Sequence, residues 1–560
     1  MAIRPLDVKE LAEILAVDFS GADGIPKLKT NWRWEDQEQA LLNSCSSLIT
    51  IIEADNSRVV QFSHFSVKEY LTSARLATSS TDVSRYHIYL EAAHTILAQA
   101  CIGVLLQPDN GVEECGAVEK RSPLAGYAAE HWVTHAQFER VSSFLRKPME
   151  YLFDLDMPYF AAWLKLYDID THPGWKSSWL HWFAVDSKSD ATPLYVAALC
   201  GFQDLVEHLV VKYPQHVNTS GGQYVTPLVA ALAGRHFQTV KLLHDMGAHI
   251  NVHGNGRETT LCSAAFYGDL EMVQVLLSLN VDVHGRGFDN WAPIHNASAG
   301  CDPMFSGMSF DNPQLLPDVT RLLLEHGADI NAGVDHACDS HYEGLTPLHL
   351  AAADPRRVEV VRVLLEHGAN VGAEDNKGRT PLHDAVGNKA LGWNTRPGTV
   401  EDRVSAKVKV VCMLLEHGAN VGAEDNKGRT PLHIAAKSAK VEVIRLLLEH
   451  GANVGAEDND GQTPLHEAGK YGMVEVARLL LEQGANVDAG DNEGRTPLHE
   501  AAKRGRVEVI RVLLEHGANV GAEDNKGGTP FQMASAAGKD ETVELLSAYG
   551  AKGVYGLANF

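Results

Sequence analysis

The chain copies itself. The string Gly-Ala-Asn-Val-Gly-Ala-Glu-Asp-Asn-Lys-Gly-Arg-Thr-Pro-Leu-His stands at Gly368–His383 and again at Gly418–His433, with near-copies beginning at Gly451, Gly484 and Gly517. Thr430, Thr463, Thr496 and Thr529 each open a Thr-Pro pair, and they follow one another at steps of 33 residues. A unit this short cannot bury its own apolar face, so its copies must stack. A stack offers a long surface rather than a deep cavity, which points to binding and away from catalysis.

Each unit reads as two helices and a finger. In Thr430-Pro431-Leu432-His433 the threonine can cap a helix whose first turn tolerates proline. Leu432, Ala435 and Ala436 supply a slim apolar face. Val441, Ile444, Leu447 and Leu448 recur at helical spacing and predict a second amphipathic helix. Gly451 follows as a C-cap able to take a positive φ, and Asp458-Asn459-Asp460-Gly461 is turn chemistry for the finger leading into the next unit. Looser heads stand at Thr192, Thr226, Thr260, Ala292, Thr346 and Thr380, for ten repeats in all; the two steps from Thr192 to Thr260 each read as 34 residues. The steps from Ala292 to Thr346 and from Thr380 to Thr430 are 54 and 50 residues, one repeat plus an insertion each, at Cys301–Pro317 and Gly387–Ser405. Both insertions read as loops. In the last repeat Phe531-Gln532 replaces Leu-His, and Lys539, Asp540, Glu541 and Glu544 are expected to face solvent as a cap.

The period, headed by Thr-Pro-Leu-His, resembles the ankyrin repeat. The resemblance implies a helical solenoid whose partners lie along the fingers and the first helix of each repeat. Positions that differ between otherwise near-identical repeats are then the expected partner contacts. In the fingers these are Lys427, Arg429, Asp460, Gln462, Glu493 and Arg495; on the helices they are Lys437 (beside Ser438), Lys470, Tyr471, Lys503 and Arg504. Tyr471 is the best anchor, because exposed aromatics and arginines dominate binding hot spots.

Composition narrows the function classes. A net charge of −24 argues against a general nucleic-acid binder, which needs a basic footprint. Residues 150–339 alone carry 22 acidic against 9 basic side chains. The eight cysteines form no Cys-x-x-Cys pair, so a reducing compartment is expected. The start has no apolar signal core, and the most apolar stretch, Ala92–Leu106, is too short to span a bilayer. A soluble cytoplasmic protein is expected, with the nucleus also open to it and no membrane partner.

Two tempting chemistries have plainer readings. Of 27 histidines, His349, His383, His433, His466 and His499 sit in repeat heads, and His326, His367, His417, His450 and His516 sit just before the C-cap glycine. Equivalents in neighbouring repeats are too far apart to share a zinc, so hydrogen bonds within and between repeats are expected and no metal site. Acid pairs such as Glu424-Asp425 and Glu457-Asp458 recur in finger after finger, which suits capping and solvation rather than a catalytic dyad.

The texture changes before the repeats. Leu6, Leu11, Ile14 and Leu15 suggest a helix starting near Pro5, and Ala40–Leu48 suggests a second. A β-rich run over 47–53, the turn Ala54-Asp55-Asn56-Ser57 and a strand over 59–62 predict a hairpin. Helix, helix, hairpin is the order of a winged helix. Arg4-Pro5-Leu6, Glu10-Leu11-Ala12, the run around Cys45 and Leu48, and Phe62-Ser63-His64-Phe65-Ser66-Val67-Lys68-Glu69-Tyr70-Leu71 together resemble the winged-helix segment of fungal NACHT–ankyrin proteins. Those are STAND-type proteins, similar in plan to animal NOD-like receptors. Such segments also carry the name of a GPI inositol-deacylase, yet no Gly-x-Ser-x-Gly elbow occurs here. Nor does the P-loop string Gly-x-x-x-x-Gly-Lys-[Ser/Thr], so nucleotide hydrolysis does not follow from the resemblance. On this reading the chain begins at or inside the winged helix, and any motor comes from another, NACHT-bearing polypeptide. In residues 1–80, 8 basic side chains stand against 11 acidic ones, which disfavours DNA binding. Ser122–Trp132 reads as a bridge helix, and Trp163, Trp175, Trp179 and Trp182 as a bulky cap over the first repeat.

The expected protein is therefore mainly α: a winged-helix-like domain at 1–110, a helical linker and cap at 111–190, about ten helix–turn–helix repeats at 191–551 and a tail at 552–560. It is expected to be no enzyme, to need no cofactor, and to recognise a protein as the sensor arm of an NLR-like signalling protein or a fragment of one. A plain scaffold or inhibitor is the alternative, and a DNA-binding regulator acting through the winged helix the third reading.

Overall fold

The computed structural model describes residues 6–20, 24–32, 49–54, 57–62, 88–107, 122–171, 191–251, 259–287, 290–300, 313–335, 342–387, 400–438 and 440–550, with positions 4, 36, 69 and 71–73. They form two compact units, Met1–Gly256 and Arg257–Phe560.

The first unit opens with a short strand. β1 (Leu6–Asp7) pairs antiparallel with β5 (Ser57–Phe62), which pairs in turn with β4 (Ile49–Ala54), so that Leu6 lies opposite Val60 and Val60 opposite Ile51. β2 (Val17–Asp18) and β3 (Lys27–Leu28) make a second small ladder. Leu6 thus belongs to a strand and not to the first helix. Asp7 decides this, because it forms a capping box that starts α1 at Val8 (Val8–Leu15). Its Oδ1 accepts the amides of Lys9 and Glu10 at 2.7 and 2.8 Å, and the Glu10 carboxylate accepts the Asp7 amide at 2.8 Å. The expected hairpin is present in β4 and β5. The helix expected at Ala40–Leu48, and most of the Phe62–Leu71 string, lie outside the described residues.

The bridge is helical, as expected. The helix Leu90–Leu105 lies against the helix Ala125–Ala136. The buried Glu13 of α1 reaches to the start of that second helix, where its Oε2 accepts the Leu124 amide at 2.7 Å and the Ser122 hydroxyl at 3.1 Å. Trp163 is fully buried and donates to the Ala129 carbonyl at 2.9 Å. It meets Trp132 edge-on at 5.2 Å, and Trp132 stacks at 5.5 Å on Phe202, which belongs to the first repeat. Gln137 donates to the Cys200 carbonyl at 2.8 Å, and Asp154 accepts from Lys212 and Tyr213 at 2.8 and 3.0 Å. The side chain that meets the first repeat is thus Trp132, with Trp163 packed behind it. These contacts explain why the first compact unit runs past residue 190 and takes in the two leading repeats, whose inner helices Pro193–Cys200 and Pro227–Ala233 are capped by Thr192 and Thr226. Trp175, Trp179 and Trp182 lie outside the described residues. No helix among the described residues is long and apolar enough to cross a membrane.

The second unit begins with a repeat whose cap is Thr259 and not Thr260: the Thr259 hydroxyl accepts the Cys262 amide at 3.2 Å. The period from Thr226 through Thr259 to Ala292 is then 33 residues at both steps, where the Thr-Pro pattern alone suggested 34 before Thr260. Thr260 occupies the place that proline holds elsewhere.

In each later repeat a short inner helix, for example Pro431–Ala435, precedes an outer one, Val441–Glu449. Leu432, Ala435 and Ala436 are buried to completion, as are Val443, Ile444 and Leu447, while Val441 and Leu448 sit at the margin. Gly451 takes φ +86° after the outer helix. Fingers join by backbone ladders: the Asn459 amide donates to the Lys427 carbonyl at 2.9 Å, and its side-chain amide to the Asn426 carbonyl at 3.2 Å. In the last repeat Asp540, Glu541 and Glu544 are exposed and Lys539 half-buried. Of the insertions, 301–312 and 388–399 are outside the described residues. Their C-terminal ends are helical rather than looped: helices begin at Leu316 and at Val400, inside the segments expected to be loops.

Candidate protein-binding surface

The surface is best defined by first removing what the stack uses for itself. The head histidines form a spine. The amide and hydroxyl of Thr430 both donate to His433 Nδ1, at 3.1 and 2.9 Å, so His433 Nε2 carries the hydrogen and donates to the Gln462 carbonyl of the next repeat at 2.9 Å. His349, His383, His466 and His499 repeat this bond to Arg379, Arg429, Arg495 and Gly528 at 2.9–3.0 Å, and His295 reaches the Ala332 carbonyl at 2.8 Å. Burial lowers the basicity of every one, that of His295 and His349 to about 4. The second set turns the other way: Nδ1 of His326, His367, His450 and His516 donates to the carbonyl four residues earlier at 2.8–2.9 Å. Histidine thus serves bonds within and between repeats. Among the described residues no group of three or more His, Cys, Asp or Glu could hold a metal ion.

Fingers are stiffened by a buried ion pair. Asp375 Oδ1 accepts the Lys377 and Arg379 amides at 2.9 and 2.8 Å, and its Oδ2 takes the Arg379 guanidinium at 2.6 Å. The same guanidinium reaches Asp384 on the following helix at 2.9 Å. Arg495 bridges Asp491 and Glu500 in the same way, at 2.8 and 3.3 Å. Arg429 engages Asp425 at 2.5 Å but has no acid ahead of it, because Ile434 stands there. Burial alone would push the Asp425 and Asp491 carboxyls up; the arginine and amide hydrogen bonds outweigh it and hold both below the usual carboxylate range.

The repeat headed by Thr463 has Gln462 where those headed by Thr380, Thr430 and Thr496 have arginine, so Glu467 lacks that partner and instead holds Lys437 of the preceding repeat at 3.2 Å. One Glu467 oxygen remains buried without a hydrogen bond. Gln462→Arg is expected to supply the missing bridge from Asp458 to Glu467 and to stabilise the array by about 1 kcal/mol. A urea titration reads this as a raised midpoint; an unchanged or lowered midpoint contradicts the bridging role given to the arginines.

The expected contact residues now divide. Gln462 is buried, and Arg429 and Arg495 are drawn inward onto Asp425 and Asp491, so these three are engaged within the array. Lys427, Asp460 and Glu493 stand exposed on the fingers, and Lys503 and Arg504 on an inner helix. Tyr471 is 41% exposed, with Lys437 and Lys470 half-buried beside it. Each ammonium lies 5.9 Å from the Tyr471 ring centre. Ser438, beside Lys437, is buried and donates to the Ala435 carbonyl at 2.9 Å. Arg506 escaped the sequence reading, which also took Lys539 only as part of the solvent-facing cap. The side chain of Arg506 lies over Gly472 and donates to the Lys470 carbonyl at 3.3 Å, and that of Lys539 lies over Gly505. Comparing Met473, Arg506 and Lys539, which fill one position in successive repeats, is the signal that finds them.

Comparison with known proteins agrees with this geometry. The model described as "Ankyrin repeats (3 copies)" matches residues 194–287, 228–333, 312–392, 404–491 and 486–554, and the single "Ankyrin repeat" model matches 377–426. The model described as "GPI inositol-deacylase, winged helix domain" matches residues 1–81. Among curated proteins, the chain is similar to "Azaphilone pigments biosynthesis cluster protein L" of Monascus ruber, at 29% identity over 44% of this chain and 53% of the relative. It is similar to "Alpha-latrocrustotoxin-Lt1a" of Latrodectus tredecimguttatus at 30% identity over 30% of this chain and 11% of that protein. It is also similar to "Probable E3 ubiquitin-protein ligase XBOS32" of Oryza sativa subsp. japonica at 30% identity over 24% of this chain and 29% of that one. The chain spans about half or less of the length of these relatives.

Proposed function

Because the chain belongs to the ankyrin repeat family, we propose that it recognises a protein partner without catalysis, as the sensor arm of an NLR-like signalling protein or a fragment of one. The observation that carries this reading is the division of labour in the repeats: the recurring heads and finger acids are satisfied inside the array, while Lys427, Asp460, Tyr471, Glu493, Lys503 and Arg504 are left on the surface. The signalling half rests on the winged-helix match beside the repeats. Within the first unit the bonds run without a gap from winged helix to repeat: Glu13 of α1 caps the bridge helix, and Trp132 of that helix stacks on Phe202. A partner-induced change that reaches the two leading repeats would pass through these contacts to the winged helix, which in turn would act on a NACHT-bearing polypeptide in the cytoplasm. The pigment-cluster, toxin and ligase titles belong to those proteins and carry no activity here.

The test is hydrogen exchange on the full chain with and without a captured partner. Protection is expected over the inner helices 464–471 and 497–504, with altered exchange in Val8–Leu15 and Ala125–Ala136. Protection of the repeats with no change in the winged helix leaves a plain scaffold or inhibitor. No protection anywhere in the repeats removes the recognition reading itself.

A further inference from the structure

Resting on the recognition reading above, we propose that the last three repeats form a binding site for an acidic peptide segment of another protein, with Tyr471 as its anchor and Lys470, Lys503 and Arg504 as its charge partners. The chain as a whole carries −24, yet Lys470, Lys503, Arg504, Arg506 and Lys539 stand at the ends of these inner helices and in the turns that follow. Lys470 stands at the C-terminal end of the inner helix Pro464–Tyr471, and Lys503 and Arg504 at the end of Pro497–Arg504. One cation per helix end suits the helix dipole. Here the second of these ends has two, and Arg506 and Lys539 come in over Gly472 and Gly505 from the following turns. Those glycines adopt φ +77° and +70°, and a Cβ on either would stand 2.9 Å from the incoming side chain. The close approach of the two cationic side chains is therefore built into the inner-helix ends.

Among the described residues Lys470, Lys503 and Arg504 make no ion pair, unlike the finger arginines and unlike Lys437, which Glu467 holds at 3.2 Å. The ammonium groups of Lys437 and Lys470 each lie 5.9 Å from the centre of the exposed Tyr471 ring, within cation–π reach. An exposed aromatic beside unpaired cations is the composition of a hot spot for an acidic ligand. A nucleic acid fits less well. Glu457, Asp460 and Glu493 are exposed on the fingers of the same repeats, and a long phosphate backbone would run into them, whereas a short run of carboxylates can stay on the helix ends.

The experiment uses the full chain and a short fluorescein-labelled oligoglutamate, followed by anisotropy at low and moderate salt. Binding is expected, weakening as salt rises. The triple variant Lys470→Glu/Lys503→Glu/Arg504→Glu is expected to weaken it roughly tenfold or more, and Tyr471→Ala or Lys503→Ala alone by a smaller factor. A charge-matched control on the outer helices, Arg445→Glu/Arg478→Glu/Arg511→Glu, is expected to stay within about twofold of wild type. Thermal unfolding establishes that each variant is folded, and the two single substitutions decide the matter should the triple variant not fold. No oligoglutamate binding, equal losses in the two triples, or tighter binding of an oligodeoxythymidylate of equal length each overturns the proposal. If oligoglutamate fails while a captured partner still protects the repeats from exchange, the acidic-ligand inference falls alone and the recognition reading stands.

Discussion

Acidification from about pH 7 to about pH 4 is expected to destabilise the repeats strongly. The cause is the histidine spine. Each head histidine is needed as the neutral tautomer, because Nδ1 must accept from the threonine of its own repeat while Nε2 donates to the next. Burial lowers the folded-state basicity of all of them, to about 4 for His295 and His349, whereas an unfolded histidine protonates near its ordinary value of 6.5. The unfolded chain therefore binds protons first. The stabilisation is complete above pH 6.5 and is lost as the pH falls towards 4, at a cost on the order of 3 kcal/mol for each of those two residues. His383, His433, His466 and His499 shift in the same direction and add to it. Far-ultraviolet circular dichroism against pH, with urea midpoints at each value, reads the effect. Helicity and midpoints that stay flat down to pH 4 would remove the spine as a stabilising device. The last repeat supplies the control: Gln532 already accepts the Thr529 amide at 3.0 Å where the six repeats before it use histidine, so His349→Gln should weaken the pH dependence.

Arg379→Ala is expected to be the most damaging single change among the finger arginines, costing about 3–5 kcal/mol. The side chains of Asp375 and Asp384 are 1% and 9% exposed, and the guanidinium between them 10%. Removing it leaves two buried carboxylates without their counter-charge, and the penalty is their desolvation rather than the attraction lost. Arg429→Ala should cost less, because Arg429 is 25% exposed and has one acid partner instead of two. Stability lives in neighbour contacts, so the damage should be local, with amide exchange rising first in Pro381–Val386 and in the finger before it. Equal losses for the two substitutions would rule this out, because the difference rests on Asp384 and on the deeper burial of Arg379.

Much of this was legible without coordinates. The Thr-Pro heads and their glycine C-caps gave the helices, and the regular places of the histidines gave their role as hydrogen-bonding groups. The failures are instructive for the same reason. Leu6 looks like the first apolar residue of a helix, but the Asp7–Glu10 box competes for that start and leaves Leu6 to a strand paired with Val60, some fifty residues away. Thr260 aligns by its place in the string, yet Thr259 holds the Cys262 amide. The surface proposed for binding was half legible, in that only some of the varying positions prove to be exposed. Variation between repeats found Tyr471 and the unpaired cations, but it also selected Arg429, Arg495 and Gln462, because a position that varies to suit an internal ion pair looks no different from one that varies to suit a partner.

Periodicity and local hydrogen-bond chemistry act over a few residues, so they are written in the string: the 33-residue unit, its two helices, its caps and its turn. What only the tertiary structure decided is which polar side chains are already spoken for. The pairing of Arg379 with Asp384, of Lys437 with Glu467 across a repeat boundary, and of Glu13 with the amide of Leu124 depends on chain segments brought together by packing. Burial strengthens such pairs and makes their absence costly, and no local pattern records whether a charge will meet a carboxylate or water.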